Sequence, residues 1–309
     1  MSGAKTPFAA VADWGTTRFR LWTLDVDGHV LRESRGDDGL ISAKEKGFET
    51  LLERHLASVD APDDLPVVIC GMAGSRTGWV EAPYMSLPAG LEGIVAAAVR
   101  VPAKRPVIML PGVARRSEDA PDVMRGEETK LLGLVHRGTR DAVVVMPGTH
   151  AKWVHIADGK LSDYRSFMTG ELFALLKERS VLAGALEGAG PVDPASAAFK
   201  AGVKTSLETP ELIANALFTV RAGWLVHDFQ PTDQLARLSG LLIGLEVAGG
   251  RTLFGKPSEA LLLSDGMMGA LYASALEIAG VKVKRIEADE LVRDGLFMAA
   301  KHAFAGGAQ

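Results

Sequence analysis

The stretch FAAVADWGTTRFRLWTLD, residues 8–25, decides the fold. A short apolar run predicts a strand that ends at Asp13, and Gly15, Thr16 and Thr17 (the first Gly-Thr turn) then reverse the chain. Residues 18–24 alternate with a period of two, which is typical of a strand. One side of that strand would carry Phe19, Leu21 and Thr23, and the other Arg18, Arg20 and Trp22. The stretch therefore predicts a β-hairpin.

The residues of this turn suit an anion. Gly15 can adopt backbone angles that other residues avoid, and threonine hydroxyls and turn amides can face a phosphate. A carboxylate at the entry to such a turn, here Asp13, is well placed to hold a hydrated Mg²⁺ beside that phosphate. An ordinary tight hairpin explains the same residues, and the stretch alone favours that interpretation.

Residues 141–167 repeat the opening of the chain. A predicted strand over 142–146 leads to Gly148, Thr149 and His150 (the second Gly-Thr turn), and two more strands follow around an Asp-Gly turn at 158–159. The first copy likewise continues through an Asp-Gly turn into a third strand. Because loop type and order both match, we expect two related α/β domains, residues 1–124 and 125–309, whose phosphate-binding turns face each other across a cleft. Coincidence between two common hairpins is the alternative.

Length and composition agree with two domains and exclude several classes of partner. A chain of 309 residues exceeds the usual single core. Its 34 lysine and arginine residues against 38 aspartate and glutamate residues leave a net charge of −4, which gives no electrostatic case for nucleic acid or an anionic membrane. The single cysteine, Cys70, suits a reducing compartment. No secretory signal or apolar run of membrane-spanning length is recognisable, so we expect a cytoplasmic protein.

Two glutamates fall in the first turn of a predicted helix between the repeats. Glu127 and Glu128 lie where the helix dipole favours anions. They cap the helix, or one of them serves as a general base; the segment alone favours the cap.

Two loops that follow predicted buried strands carry further candidates. Ser75 and Arg76 lie in the glycine-rich segment after residues 65–70 and could bind polar groups of a ligand, although a plain loop is an equal alternative. Ser264, Asp265 and Gly266 (the 264–266 turn) connect a strand to a helix, which is where α/β proteins often hold a nucleotide. Helical spacing is also found over residues 46–58, 169–176, 211–227, 232–248, 270–279 and 291–303.

Other known motifs fail on inspection. Residues 250–256 have the spacing of a P-loop, but Pro257 occupies the position that needs a hydroxyl for Mg²⁺. HExxH, paired CxxC and GxSxG are absent from the sequence, so zinc hydrolases and esterases have no support. His150 and His155 would point to opposite faces of a strand, which argues against a shared metal.

The chain resembles the 2-dehydro-3-deoxygalactonokinases, sugar-acid kinases of the actin, hexokinase and Hsp70 superfamily. The matching stretches occur in the family's order: DWGTTRFRLW (13–22), GMAGSRTGW (71–79), APYMSLPA (82–89), MRGEET (124–129), MPGTHAKWV (146–154), MTGEL (168–172) and LSGLLIGLEVA (238–248). The resemblance implies two RNase H-like, actin-like ATPase domains with mixed sheets flanking an interdomain cleft. It also implies transfer of the ATP γ-phosphate to the 6-hydroxyl of 2-dehydro-3-deoxy-D-galactonate. The 264–266 turn departs from the Gly-Thr-Ser usual on the family's adenosine side.

The resemblance also implies roles for individual residues. Asp13 would orient hydrated Mg²⁺, the first Gly-Thr turn would bind the γ-phosphate, and the second would bind the β-phosphate. Related kinases carry a Gly-Asp pair where Gly126-Glu127 stands here, so Glu127 is the candidate base and Glu128 the fallback. Candidate cations for the substrate carboxylate are Arg76, Arg125 and Lys152, and Lys152 is also a candidate for binding the nucleotide. Ser75 and Tyr84 could read hydroxyls.

Rival functions remain open at this point. The nearest is a kinase of the same fold that acts on a different sugar or 2-keto-3-deoxy sugar acid. A non-kinase nucleotide-dependent binding protein or chaperone-like ATPase is a second rival, and a sugar-sensing regulator is a third. The expected partners are a small sugar acid and ATP; a homodimer is compatible with the sequence, which does not determine the oligomeric state.

Overall fold

In the computed structural model, which describes residues 6–305, the opening stretch forms the predicted hairpin. Strands β1 (Ala9–Trp14) and β2 (Phe19–Leu24) pair antiparallel, with Asp13 directly opposite Arg20. Trp22 and Thr23 of β2 are both buried although they point to opposite sides, so both faces of this strand are covered. The simple alternation read from the sequence thus locates the strand but understates its burial.

The elements that follow the hairpin, up to residue 136, are β3 (Val30–Gly36), α1 (Leu40–Lys46), α2 (Phe48–Ala57), β4 (Val67–Gly71), β5 (Met85–Ser86), α3 (Leu91–Ala96), β6 (Val99–Val101), β7 (Val107–Met109), β8 (Val113–Arg115), β9 (Asp122–Met124) and α4 (Glu127–His136). The hairpin belongs to a six-stranded sheet with the order β3-β2-β1-β4-β7-β6, in which β1, β4 and β7 run parallel. A separate three-stranded sheet has the order β5-β8-β9.

The elements from residue 142 onwards are β10 (Ala142–Met146), β11 (Ala151–Ala157), β12 (Lys160–Phe167), α5 (Thr169–Arg179), α6 (Ala183–Leu186), α7 (Ala197–Glu208), α8 (Ile213–His227), α9 (Pro231–Leu253), β13 (Glu259–Leu263), α10 (Gly266–Ile278), β14 (Lys282–Ile286) and α11 (Ala288–Ala300). Their five strands form a sheet with the order β12-β11-β10-β13-β14. This order matches β3-β2-β1-β4-β7 of the six-stranded sheet, with β10 in the place of β1. The shared order confirms the repeat and the predicted α/β class with two RNase H-like sheets.

The described residues divide into two units. Residues 6–141, 156–163 and 288–305 form the first, and residues 142–155 and 164–287 form the second. Helix α11 belongs to the first unit because it packs closely on α4. A Cβ at Gly133 would lie 2.1 Å from the Leu291 carbonyl oxygen, and one at Gly295 would lie 2.0 Å from that of Thr129, so only glycine permits this approach. The domain boundary expected after residue 124 stays a prediction.

Each unit has its own apolar core. In the first, Trp14 is fully buried and its ring packs against Phe19 (4.6 Å between centroids) and Phe48 (5.4 Å). In the second, α7 and α9 touch backbone to backbone, because a Cβ at Gly240 would lie 2.2 Å from the Phe199 carbonyl oxygen. Burying one large side chain contributes about 1.5–3 kcal/mol, so these cores fix the sheets that carry the site.

Two local features differ from the helices expected from the sequence. The predicted helix over 46–58 is divided at Gly47, whose φ of 88° ends α1 before α2 begins. Short helix α6 and helix α7 were not predicted. Across residues 6–305, every helix is too short or too polar to pass through a lipid bilayer.

Candidate active site

The first Gly-Thr turn is held by the start of α1. The Leu40 amide donates to the Gly15 carbonyl oxygen at 2.9 Å, and the Ile41 amide donates to that of Thr16 at 3.2 Å. Gly39 lies directly against the turn, where a Cβ would be 2.5 Å from the Thr17 Cα. The carbonyl groups therefore face the helix, while the side chains of both threonines are exposed. Exposed hydroxyls on a firmly held turn suit an anionic ligand.

Asp13 ends β1 and lies in a network of charges. Its Oδ2 accepts a hydrogen bond from Arg20 Nη2 at 2.8 Å, and Arg20 Nη1 donates to Asp289 Oδ1 at 2.6 Å. Asp13 lines a cavity of about 500 Å³ together with Gly15, Arg18, Arg20, Arg35, Asp37 and Asp289. A carboxylate that faces such a cavity is the kind of ligand Mg²⁺ prefers, so the donor chemistry fits. Arg20 has no predicted role, although its position opposite Asp13 in the hairpin was the available signal.

The start of α4 lies against the end of β4. Gly126 has a φ of 103°, and a Cβ there would lie 3.4 Å from the Gly71 Cα. Because β1 and β4 are parallel neighbours, Asp13 and Gly71 belong to the same edge of the sheet. This is the edge at which α/β proteins bind ligands.

Glu127 and Glu128 both turn back towards the backbone that precedes α4. Glu127 Oε2 accepts from the Arg125 amide at 3.1 Å, and both Glu128 oxygens accept from the Gly126 amide, at 2.9 and 2.7 Å. Glu128 is 0 % exposed, and burial, reinforced by the charge of Glu127, raises its pKa from 4.5 to about 8. Glu127 is half-buried. Both carboxylates therefore cap the helix, and Glu127 is the one that a ligand can reach.

Three of the five residues predicted to bind the substrate lie together in what we call the Arg125 cluster (Ser75, Ala82, Tyr84 and Arg125). The Arg125 guanidinium lies over the Tyr84 ring at 4.3 Å, and its Nη2 donates to the Ala82 carbonyl oxygen at 2.8 Å. A Cβ at Gly74, next to Ser75, would be 3.0 Å from Arg125 Nη1.

Part of this cluster has unused hydrogen-bonding capacity. Within residues 6–305, the buried atoms Ser75 Oγ, Arg125 Nε and Arg125 Nη1 have no hydrogen-bond partner. A buried guanidinium with two unmatched donors is costly unless a ligand or a side-chain movement satisfies it. Arg76, also predicted to bind the substrate, is not in the cluster: its side chain is 88 % exposed and lies 4.0 Å from the Glu81 carboxylate.

The second Gly-Thr turn is held by the start of α5 in the way that the first is held by α1. The Glu171 amide donates to the Thr149 carbonyl oxygen at 3.0 Å, and a Cβ at Gly170 would lie 2.4 Å from the Gly148 carbonyl oxygen. His150 Nε2 lies 2.5 Å from Glu171 Oε2. The repeat thus includes a glycine packed against each turn, Gly39 and Gly170, which the sequence analysis did not single out.

Lys152 is nearly fully buried beside the second Gly-Thr turn, where its Nζ donates to the His150 carbonyl oxygen at 3.0 Å. An ammonium group in this position adds positive charge to a turn that already suits an anion. The structure therefore places Lys152 with the turn residues and in the second unit, whereas the Arg125 cluster belongs to the first unit.

A cavity of about 650 Å³ adjoins the second Gly-Thr turn; we call it the apolar cavity. Gly148 and Thr149 form one part of its wall, and Met267 and Met268 of α10 form another. The remainder comes mainly from apolar residues of α5 and α9 and the segment before α7, including Phe173, Pro191, Leu242 and Ile243. The 264–266 turn itself precedes the two methionines and is not among the residues that line the cavity. A largely apolar cavity that ends at a phosphate-suited turn can hold a nucleoside with its phosphate chain.

A buried carboxylate that the sequence analysis missed lies behind this cavity. Glu246 of α9 is 1 % exposed and accepts hydrogen bonds from Trp153 Nε1 at 3.0 Å and from the Tyr272 hydroxyl at 2.6 Å, and a third comes from the Thr169 hydroxyl. Burial raises the pKa of Glu246 to about 7 against the opposing effect of these three donors. Glu246 lies in the matching stretch at 238–248, but the apolar spacing of α9 does not indicate that this glutamate is buried and hydrogen-bonded.

Comparison with known proteins agrees with this architecture. The sequence profile of the 2-keto-3-deoxy-galactonokinase family matches residues 13–299. A Rhizobium meliloti protein named "Probable 2-dehydro-3-deoxygalactonokinase DgoK1" is 46 % identical over 95 % of this chain and 97 % of its own length. The Escherichia coli protein named 2-dehydro-3-deoxygalactonokinase is 34 % identical over 92 % of this chain and 94 % of its own length.

The same family is found among solved structures. A crystal structure assigned to a 2-dehydro-3-deoxygalactonokinase protein from Sinorhizobium meliloti superimposes with a TM-score of 0.93 at 45 % identity, covering 96 % of this chain and 99 % of that one. The match to the family profile and the superposition on this crystal structure both extend over nearly the whole chain. The chain therefore belongs to the 2-keto-3-deoxy-galactonokinase family.

Proposed function

We propose that the protein is an ATP-dependent kinase that phosphorylates the 6-hydroxyl of 2-dehydro-3-deoxy-D-galactonate. The observation that carries this proposal is the Arg125 cluster: a buried guanidinium with two unmatched donors, followed two residues later by the reachable carboxylate of Glu127. A sugar acid needs a cation for its carboxylate and a base for its hydroxyl, and this segment offers both. The names of the relatives support the same substrate.

In this proposal Arg125 binds the substrate carboxylate, and Ser75 and Tyr84 hydrogen-bond to its hydroxyl or keto oxygens. Glu127 accepts the proton of the attacking hydroxyl. Glu128 is the weaker candidate, because a side chain that is 0 % exposed and already bonded to the Gly126 amide cannot reach a substrate. Arg76 is the weaker candidate for the substrate carboxylate, because its side chain is exposed.

The nucleotide is assigned to the turns and the apolar cavity. The first Gly-Thr turn would bind the γ-phosphate, and the second Gly-Thr turn with Lys152 would bind the β-phosphate. The apolar cavity would take the nucleoside, with the 264–266 turn at its edge. Asp13 would hold a hydrated Mg²⁺, which when bound neutralises phosphate charge during transfer. Arg20 would fix the orientation of the Asp13 carboxylate through their 2.8 Å hydrogen bond.

The proposed location is the cytoplasm, because ATP is the proposed phosphoryl donor and one buried cysteine suits a reducing compartment. A homodimer is compatible with the sequence, and light scattering of the purified protein tests whether one forms.

The activity is tested with ATP and a panel of 2-keto-3-deoxy sugar acids. We expect turnover of the galactonate epimer above the others, with ³¹P NMR placing the new phosphate on the 6-hydroxyl. Turnover of another sugar acid but not of the galactonate form would refute the substrate. ATP hydrolysis that does not depend on any sugar acid would refute the kinase and favour a nucleotide-dependent binding protein.

Variants test the residue roles. Glu127→Gln should lower kcat by about 10²–10⁴-fold, the usual contribution of a general base. Arg125→Met should raise the KM for the sugar acid by about tenfold or more, since charge-assisted hydrogen bonds are lost. The control Arg100→Met, at an exposed arginine of β6 outside the cluster, should not raise it. Near-normal kcat in Glu127→Gln would remove Glu127 from the role of base.

A further inference from the structure

Glu246 connects four elements of the second unit through one carboxylate. The residue lies on α9, and its three hydrogen-bond donors lie on β11 (Trp153), at the start of α5 (Thr169) and on α10 (Tyr272). All four side chains are buried. A desolvated carboxylate of this kind is seldom more stabilising than apolar residues of the same volume, so stability alone does not account for it.

Two of the three donors belong to the wall of the apolar cavity. Thr169 and Tyr272 line it, while Trp153 does not. The Tyr272 hydroxyl is directed to Glu246 at 2.6 Å, which fixes the ring that forms the cavity wall. The position of the carboxylate therefore determines the position of two wall residues.

The connection continues from Thr169 to the second Gly-Thr turn. Gly170 follows Thr169 and packs against Gly148, and the Glu171 amide donates to the Thr149 carbonyl oxygen at 3.0 Å. Anchoring the Thr169 hydroxyl thus holds the first turn of α5, and the first turn of α5 holds the phosphate-suited turn.

We propose that Glu246 is a positioning residue of the nucleotide site, which fixes the start of α5 and the Tyr272 ring and thereby sets both the second Gly-Thr turn and the wall of the apolar cavity. This inference rests on the proposed function, because it takes the occupant of the cavity to be the nucleotide. It assigns Glu246 no contact with substrate or phosphate. Misplacing the turn and the wall should weaken nucleotide binding and leave the sugar-acid site unchanged.

The test uses Glu246→Gln, Thr169→Val and the conservative variant Thr169→Ser. The matched control is Ser206→Ala, because the Ser206 hydroxyl makes an equally buried hydrogen bond to the Leu241 carbonyl oxygen at 2.7 Å, between α7 and α9, and neither residue lines the cavity. For each protein we would measure the Kd of ADP by calorimetry, and the KM values of ATP and the sugar acid in steady state.

We expect Glu246→Gln and Thr169→Val to raise the Kd of ADP and the KM of ATP by about tenfold, the effect of losing one hydrogen bond to a charged group. The KM of the sugar acid should change less than about twofold, because no contact to that site is altered. Thr169→Ser should restore ADP binding, since it keeps the hydroxyl. Ser206→Ala should bind ADP as the wild type does.

Several results would overturn the inference. Unchanged ADP binding in Glu246→Gln and Thr169→Val would do so, and so would equal increases in both KM values or an equal effect in Ser206→Ala. If the wild-type protein binds no ADP, the proposed function fails together with the inference. If it binds ADP and phosphorylates the sugar acid while the variants match it, the inference fails and the proposed function stands.

Discussion

Replacing the buried Glu128 by glutamine should make the first unit less sensitive to rising pH. Burial, reinforced by the charge of Glu127, raises the pKa of Glu128 from 4.5 to about 8 in the folded protein. A group whose pKa is raised by folding binds its proton more tightly in the folded state. Its contribution to stability is therefore complete below pH 4.5 and is lost as the pH rises through about 8. Glutamine resembles the protonated carboxyl group and cannot lose that proton.

The magnitude follows from the two pKa values. Their difference corresponds to about 5 kcal/mol over the whole titration, at about 1.36 kcal/mol for each pH unit. Linkage over the interval from pH 5.5 to 7.5 gives a loss of about 2–3 kcal/mol in the free energy of unfolding of the wild type relative to the variant. That loss is a factor of roughly 30 to 150 in the equilibrium between closed and open forms.

Cys70 offers a direct assay of this opening. It is the only cysteine in the sequence and is fully buried in β4, so a thiol reagent labels it only when the first unit opens. Labelling rates at pH 5.5 and 7.5, divided by the rates in denaturant at the same pH, give the opening equilibrium for each protein. We expect this ratio to rise roughly 30- to 150-fold more in the wild type than in Glu128→Gln.

The control is Glu92→Gln, because Glu92 also lies in the first turn of a helix of the first unit, α3, but is exposed. Glu92→Gln removes a similar interaction with a helix dipole without removing a buried titratable group. If Glu128→Gln shows the same pH dependence as the wild type, or if Glu92→Gln flattens the dependence equally, the reasoning is refuted.

Three further variants test other contacts. Gly170→Ala should raise the Kd of ADP in calorimetry, since its Cβ would lie 2.4 Å from the Gly148 carbonyl oxygen; unchanged binding would contradict the role of this contact. Arg105→Ala should lower the free energy of unfolding by about 1.5–3 kcal/mol, measured by Cys70 labelling, because the half-buried Glu53 carboxylate loses its two hydrogen bonds of 2.7 Å. Gly240→Ala should lower Tm by several degrees in calorimetry, because α7 and α9 must separate to admit a methyl group; an unchanged Tm would show that they yield easily.

Local sequence patterns were sufficient to predict the two hairpins. Strand β10 agrees with the predicted limits of 142–146 residue for residue, because its apolar run is bounded at both ends by a turn that contains glycine. The repeat was visible for the same reason, since each turn is a local feature. The shared strand order is its consequence in three dimensions.

The features that sequence could not supply arise from contacts between distant residues. The three-stranded sheet consists of strands of two or three residues, too short for any periodicity to register. The bond from Arg20 to Asp289 joins residues far apart in the chain. Glu128 is buried and Glu127 is not because of how the first unit packs around them. Two adjacent glutamates give no sign of this difference in the sequence.

The packing of α11 on α4 has a consequence for folding during translation. Because α11 leaves the ribosome after every residue of the second unit, the first unit cannot complete its helix pair while translation is still in progress. The earlier strands of the first unit therefore stay incompletely folded, whereas residues 164–287 can already fold. A nascent chain stalled before residue 288 should therefore bind chaperones through its N-terminal part.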